Sequence, residues 1–230
     1  MILNPNKCKI LHVSKQDING DNINIKMGGE NLEVVDDFKY LGTLFHKNGK
    51  IGQEIKNRIQ QANKIYYAIN NTILGKNEIS RETKLQIYKS VYVPTLLYGS
   101  ESWPINHRIE SQIVASEMKF LRRIVGKTRR DRERNTTVRE ELKITPITTR
   151  VEVKQLKWYG HVKRMSKDRL PRKCMEARME GSRTRGRPRK TWMDRVEEIG
   201  RKRGKNLKEM NGTTSDRKAW RTFVESDPTP

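Results

Sequence analysis

The stretch IGQEIKNRIQQANKIYYAINNTILG, residues 51–75, decides the fold class. Ile51, Ile55, Ile59, Ala62, Ile65, Ile69 and Ile73 recur at three- and four-residue steps. That spacing puts them on one face of an amphipathic helix of about six turns, and Gly75 supplies its stop. Upstream the pattern changes. Residues 9–13, 23–27 and 32–35 are short β-prone runs separated by Asn, Gly and Asp clusters, so residues 1–48 are expected to form a small antiparallel sheet. So few short strands need a helix or another partner over their apolar face.

Downstream, Ser80 is a plausible N-cap for a second helix through Leu85, Tyr88, Val91 and Tyr92, which Pro94 is expected to stop. A third begins near Asn106, with Ile109, Ile113, Phe120, Leu121 and Ile124 along one face. Residues 126–134 contain no apolar side chain and read as an exposed basic connector, the preferred domain boundary. Shorter helices follow over 136–142 and from Thr148 to about Met165. Residues 168–190, rich in Arg, Gly and Pro, carry too little apolar surface to order themselves. Thr191 opens a helix bearing Trp192, Val196 and Ile199, and a last one lies around Trp220 and Phe223. The expected fold is α+β, mostly α. Its divisions are 1–48, 49–125, 126–167, 168–190 and 191–230.

Composition narrows the partners. The apolar fraction of 33% is low for a globular core, and the formal charge is +22 from 49 Lys plus Arg against 27 Asp plus Glu. Residues 1–100 hold 14 basic and 9 acidic side chains, leaving 35 and 18 for residues 101–230, so the excess belongs to the second part. Self-repulsion on this scale calls for a polyanion, and nucleic acid is the expected partner. Cys8 and Cys174 are too few and too distant for a zinc site or disulfide framework. No apolar run approaches membrane-spanning length, and the first residues lack the pattern of a signal peptide. The expectation is a soluble chain, nuclear or cytoplasmic, with no membrane partner and no small-molecule substrate.

Several boxes together carry a family resemblance. Phe38-Lys39-Tyr40-Leu41-Gly42 resembles the primer-grip hairpin of reverse transcriptases from non-LTR retrotransposons. Asn4 to Lys9 looks like the stretch after the catalytic loop in these polymerases, with Cys8 in place of the usual Thr, and Tyr98-Gly99-Ser100-Glu101-Ser102-Trp103 resembles the box after their thumb helices. Leu121-Arg122-Arg123-Ile124 through Arg130-Asp131-Arg132, Lys157-Trp158-Tyr159-Gly160-His161-Val162 and Gly186-Arg187-Pro188-Arg189 look like C-terminal segments of insect-type endonuclease/reverse transcriptase reading frames. The resemblance implies a palm remnant over 1–48, a thumb-like helical bundle over 49–125 and a basic helical tail beyond. It also implies that the catalytic aspartates, and the Mg²⁺ they would hold, belong upstream of Met1. The chain would then be a truncated or relic reverse transcriptase that holds template–primer or target nucleic acid without polymerising. The rivals are a fragment of an intact RNA-directed DNA polymerase, a co-opted DNA-binding protein and a non-functional relic.

The candidate nucleic-acid contacts are Phe38, Lys39, Tyr40, Leu41 and Gly42, then Arg122, Arg123, Lys127, Arg129, Arg130 and Arg132, then Arg185, Arg187, Arg189 and Lys190. The last group has the form of an AT-hook core, in which Gly lets the backbone approach and Pro holds it extended in a narrow minor groove. A single copy of so short a motif favours the plainer reading of the same residues, a basic linker before the helix at Thr191 that makes generic phosphate contacts. If six to ten cations touch phosphates, affinity should fall roughly 10³- to 10⁵-fold between 50 and 200 mM salt. Asp36-Asp37 stands where a turn enters the primer-grip strand and is not expected to be catalytic. Lys7 matches a position that can act near leaving pyrophosphate, and without aspartates it is an ordinary surface lysine. His12, His46, His107 and His161 lack the i, i+4 spacing of metal ligands on one helix. Trp103, Trp158, Trp192 and Trp220 could stack on bases, but each falls at a helical apolar position or a helix start, so core packing is the expectation.

Overall fold

The computed structural model describes residues 4, 8–13, 23–177, 186 and 190–226. Six short strands open the described chain: β1 Lys9–Ile10, β2 Lys26–Met27, β3 Glu30–Asn31, β4 Glu33–Val34, β5 Asp37–Tyr40 and β6 Thr43–His46. They form three two-stranded ladders and not one antiparallel sheet. β2 and β3 pair antiparallel across Gly28-Gly29, both at positive φ. β5 and β6 pair antiparallel with Phe38 opposite Phe45. β1 and β4 instead run parallel, tied also by Lys9 to Glu33 at 2.8 Å. The 22 residues between Ile10 and Glu33 are long enough for the crossover that a parallel pair needs.

The regular elements of the other described residues are helical: α1 Gly52–Ile69, α2 Arg81–Ile87, α3 Val93–Leu96, α4 His107–Ile124, α5 Asn135–Leu142, α6 Ile147–Lys163, α7 Leu170–Glu176, α8 Trp192–Lys202, α9 Leu207–Thr213 and α10 Arg217–Glu225. The chain is therefore α+β and mostly α. Local chemistry explains the starts. Ser80 accepts from the Thr83 N–H, Asn106 from Ile109, and Asp216 from Lys218 and Ala219. Thr191 with Asp194 and Asn206 with Glu209 make full capping boxes. α1 continues through a π-type turn, Asn70–Leu74, to Gly75.

Pro94 does not stop the second helix. A π-type turn, Tyr88–Tyr92, carries α2 into α3, and Pro94 sits in the first turn of α3. Widening the turn to i→i+5 bonding accommodates a residue that has no N–H to donate.

Two apolar clusters result. In the first, Phe120 of α4 lies among Tyr66, Tyr88 and Tyr92, with ring centroids 6.1, 5.6 and 4.4 Å away. The wholly buried Glu117 accepts from the Tyr88 hydroxyl at 2.8 Å and from Arg139 at 2.6 Å. Val138, Leu142, Ile144, Ile147 and Val151 join this cluster, so residues on both sides of the connector share one core. The change of core comes inside α6. Its second half, Leu156 and Tyr159, packs with Val196, Ile199, Met210, Trp220, Phe223 and Val224. The clusters are bound together by Trp192 Nε1–H to the Glu101 carbonyl and Gln155 Nε2–H to the Trp103 carbonyl, each 2.8 Å.

Trp103 and Trp220 are buried and Trp158 and Trp192 partly so, which makes packing the work of the first pair. Gly160 has a packing reason. A Cβ there would lie 2.0 Å from Trp220 Nε1, so α6 and α10 approach closely only because residue 160 has no side chain.

Candidate nucleic-acid interface

The Phe38–Gly42 segment is β5 and its turn. Leu41 at φ +47° and Gly42 at φ +84° give the two left-handed residues that a tight two-residue hairpin requires. Glycine suits that conformation and leucine does not, so Leu41 carries backbone strain of about 1–2 kcal/mol. Side chains from the helical body hold it there. Tyr98 donates its hydroxyl to the Leu41 carbonyl at 2.8 Å, and Arg58 donates to the Gly42 carbonyl. Arg58 also lies 4.5 Å over the Tyr98 ring and pairs with Glu54 at 2.5 Å. Glu54, whose side chain is 0% exposed, accepts the Leu44 N–H at 2.8 Å. Gly42 and Tyr98, in the two boxes quoted for the family, thus meet across the same small contact; a Cβ on Gly42 would lie 3.7 Å from the Tyr98 ring. Phe38 is half-buried, whereas Lys39, Tyr40 and Leu41 face outward.

At the other end of α1 an open cleft of about 840 Å³ lies among α1, α4 and the connector. Lys119, Arg122, Arg123, Lys127 and Arg129 line it, with no carboxylate among its fourteen lining residues. These cations are not equivalent. Arg122 donates to the Glu133 carbonyl at 3.2 Å and to Asn135 Oδ1 at 2.6 Å, so it fixes the connector. Arg123 reaches back to Gly75, where a Cβ would lie 2.5 Å from its Nη2. Lys127 is exposed and 3.6 Å from Glu133. Lys119 spans the Tyr66 and Tyr67 rings at 4.6 and 4.0 Å and donates to the Tyr67 hydroxyl at 2.7 Å. Tyr67 is itself two-thirds exposed. Arg129, Arg130 and Arg132 project to solvent from a turn closed by Asp131, which accepts from the Thr128 N–H and hydroxyl. Those bonds hold the Asp131 carboxyl below its usual range.

Along α1, Arg58 and Asn70 are separated by roughly 18 Å at 1.5 Å per residue. Hairpin and cleft therefore stand about five base steps apart on one helix, at 3.4 Å per step of a strand.

Of the AT-hook-like group, Arg185, Arg187 and Arg189 lie outside the described residues, as does Lys7; Lys190 pairs with Glu198. Asp36 pairs with Lys47 at 2.9 Å, and Asp37 lies 3.9 Å from His46. Lys47 already occupies the Asp36 carboxylate, and no group of three His, Cys, Asp or Glu among the described residues could hold a metal. His161 meets Trp158 ring to ring, at 5.6 Å between centroids. Sequence reasoning did not single out Glu54, Arg58 or Tyr67. The i, i+4 spacing of Glu54 and Arg58 was a usable signal. None of the described helices is long and apolar enough to cross a membrane.

No family model matches the chain, and no solved structure matches it. A curated protein of Caenorhabditis elegans described as a putative uncharacterized transposon-derived protein is 25% identical over 207 residues, covering 86% of this chain and 73% of that protein. The likeness points to a transposon origin for the chain.

Proposed function

We propose that this chain is a non-LTR-type reverse transcriptase derivative that holds a nucleic acid strand or duplex and does not itself polymerise. The observation that carries the reading is the cleft: five cations, an adjacent exposed tyrosine and no lining carboxylate, on a protein of net charge +22. A phosphate backbone would meet Lys119, Lys127 and Arg129, with Arg122 positioning the connector and Tyr67 offering a face for a base. The hairpin, fixed to α1 by Arg58 and Tyr98, would touch the same strand some five nucleotides away. The non-catalytic part of the reading rests on the sequence, which contains no aromatic-x-Asp-Asp box. Transposon-derived similarity supports the descent.

The test is fluorescence anisotropy of labelled RNA–DNA hybrid and duplex DNA against salt. Lys127→Gln with Arg129→Gln should weaken binding uniformly across sequences and reduce the salt slope by roughly 0.9 for each phosphate no longer neutralised. Affinity that ignores salt would sink the binding reading. Mg²⁺-dependent incorporation of labelled nucleotide by the purified chain would overturn the non-catalytic one.

A further inference from the structure

A second basic site lies in the C-terminal part, away from the connector. Lys163 and Arg164 end α6, Arg172 comes from α7 and Arg217 opens α10; with Asn211, Thr214 and Ser215 they line an open pocket of about 530 Å³. Arg164 donates to the Thr214 carbonyl at 3.1 Å, and Arg172 donates to the Lys163 carbonyl. These bonds tie α7 and the α9–α10 turn to α6, and the four cations line the same open space. Asn211 Oδ1 accepts from the Tyr159 hydroxyl, which leaves the amide hydrogens of Asn211 to donate. Opposite these four cations stands Glu176, 3.2 Å from Lys163 and 2.7 Å from Arg172 and 41% exposed. Four positive charges against one carboxylate leave an excess of about three at one place on the surface, where like charges repel one another. The Arg164 guanidinium is held below its ordinary range by burial and by the Arg217 charge, a repulsion that a bound anion would relieve.

We propose that this pocket is a second phosphate-binding site, which grips the sugar–phosphate backbone of a nucleic acid through Lys163, Arg164, Arg172 and Arg217. The source of the phosphate rests on the nucleic-acid reading above; the pocket's anion chemistry does not. The pocket is much larger than one phosphate and open to solvent, which suits consecutive phosphodiesters better than a free ion. Glu176 would be the group displaced as the backbone enters.

Arg217 is exposed, so Arg217→Gln and Arg217→Glu should fold normally, and their far-UV circular dichroism provides the check. Binding of labelled duplex and hybrid should weaken roughly tenfold for Arg217→Glu. The salt slope should fall by about 0.9 for Arg217→Gln, on top of the reduction from Lys127→Gln. Tight binding by the parent with an unchanged slope in both Arg217 variants would overturn the backbone as ligand. If the parent binds no nucleic acid, the cleft reading and the backbone as this pocket's ligand fail together, and inorganic phosphate becomes the probe of the pocket's anion chemistry alone. A melting temperature raised by phosphate over chloride at equal ionic strength, in the parent but not in Arg217→Glu, supports the pocket. Equal effects of the two salts in both proteins refute it.

Discussion

Replacing Arg58 with Met tests whether the helical body fixes the hairpin. Met keeps most of the aliphatic length and removes the guanidinium. Its ion pair with Glu54 at 2.5 Å, its bond to the Gly42 carbonyl and its position 4.5 Å over Tyr98 disappear together. Glu54 stays wholly buried, retaining the Leu44 N–H at 2.8 Å and a long 3.4 Å approach from Asn57. Removing one partner of a buried pair costs about 3–5 kcal/mol, and the retained Leu44 bond argues for the low end. Removing the cation–π interaction, on a half-exposed ring, adds about 0.5–1 kcal/mol. We expect roughly 3–4 kcal/mol, a large part of the ~5–15 kcal/mol that holds a domain folded. The double variant Glu54→Gln/Arg58→Met no longer strands a charge, so it should lose about 1–2 kcal/mol less than the sum of the single changes. Urea unfolding followed by tryptophan emission measures the cycle, and amide exchange at Leu44 reports the hairpin itself. A change in Arg58→Met below about 0.5 kcal/mol, with Leu44 still protected, would refute the anchoring.

Gly160→Ala should destabilise by about 1–3 kcal/mol, although helix propensity alone would favour Ala by about 1, because the new Cβ overlaps Trp220. Gly212→Ala in α9, with nothing within 4 Å, should instead be neutral or stabilising, and the pair of urea midpoints separates packing from propensity. Glu152→Gln strands the buried Arg203, 3.2 Å from the carboxylate, while Arg195 and Lys202, at 3.4 and 3.3 Å, keep Glu198; destabilisation near ~3 kcal/mol is expected, and an unchanged midpoint would contradict it. Burial pushes the Tyr159 hydroxyl up to about 12 and raises Tyr88 and Tyr92 further. The folded chain then keeps phenolic protons that the unfolded chain releases near pH ~10, so stability is full below about pH 10 and falls as pH rises toward about 12 and beyond. Unfolding midpoints against pH should show that fall, and Tyr92→Phe should make it shallower by about one proton.

The helices were legible because their apolar spacing and their caps agree. Ser80, Asn106 and Thr191 each stand where a side-chain oxygen satisfies a free N–H, and each begins a helix. Pro94 misled because an i→i+5 turn leaves no mark in composition. The parallel pairing of β1 with β4 was illegible for a different reason: alternation of side chains gives the face of a strand and not its direction. The hydrogen bond between Tyr98 and Leu41 joins positions 57 residues apart, and no local pattern encodes it.

The same limit applies to the charge, and it changes a number. A basic run shows how many cations a segment has, but not which of them the fold consumes. Arg139 is taken by Glu117, and Arg195 and Arg203 by Glu152, all inside the protein. Arg122 is occupied in fixing the connector. Around the cleft this leaves Lys119, Arg123, Lys127 and Arg129, with Arg130 and Arg132 beside them, so about six phosphates can be met and not ten. A slope near −0.9 per phosphate then gives roughly −5, and a fourfold rise from about 50 to 200 mM salt should weaken binding about 10³-fold, the lower edge of the range that composition suggested. A measured fall near ~10⁵ would mean that cations outside this group, such as those of residues 178–189 or the Arg217 pocket, carry most of the interface.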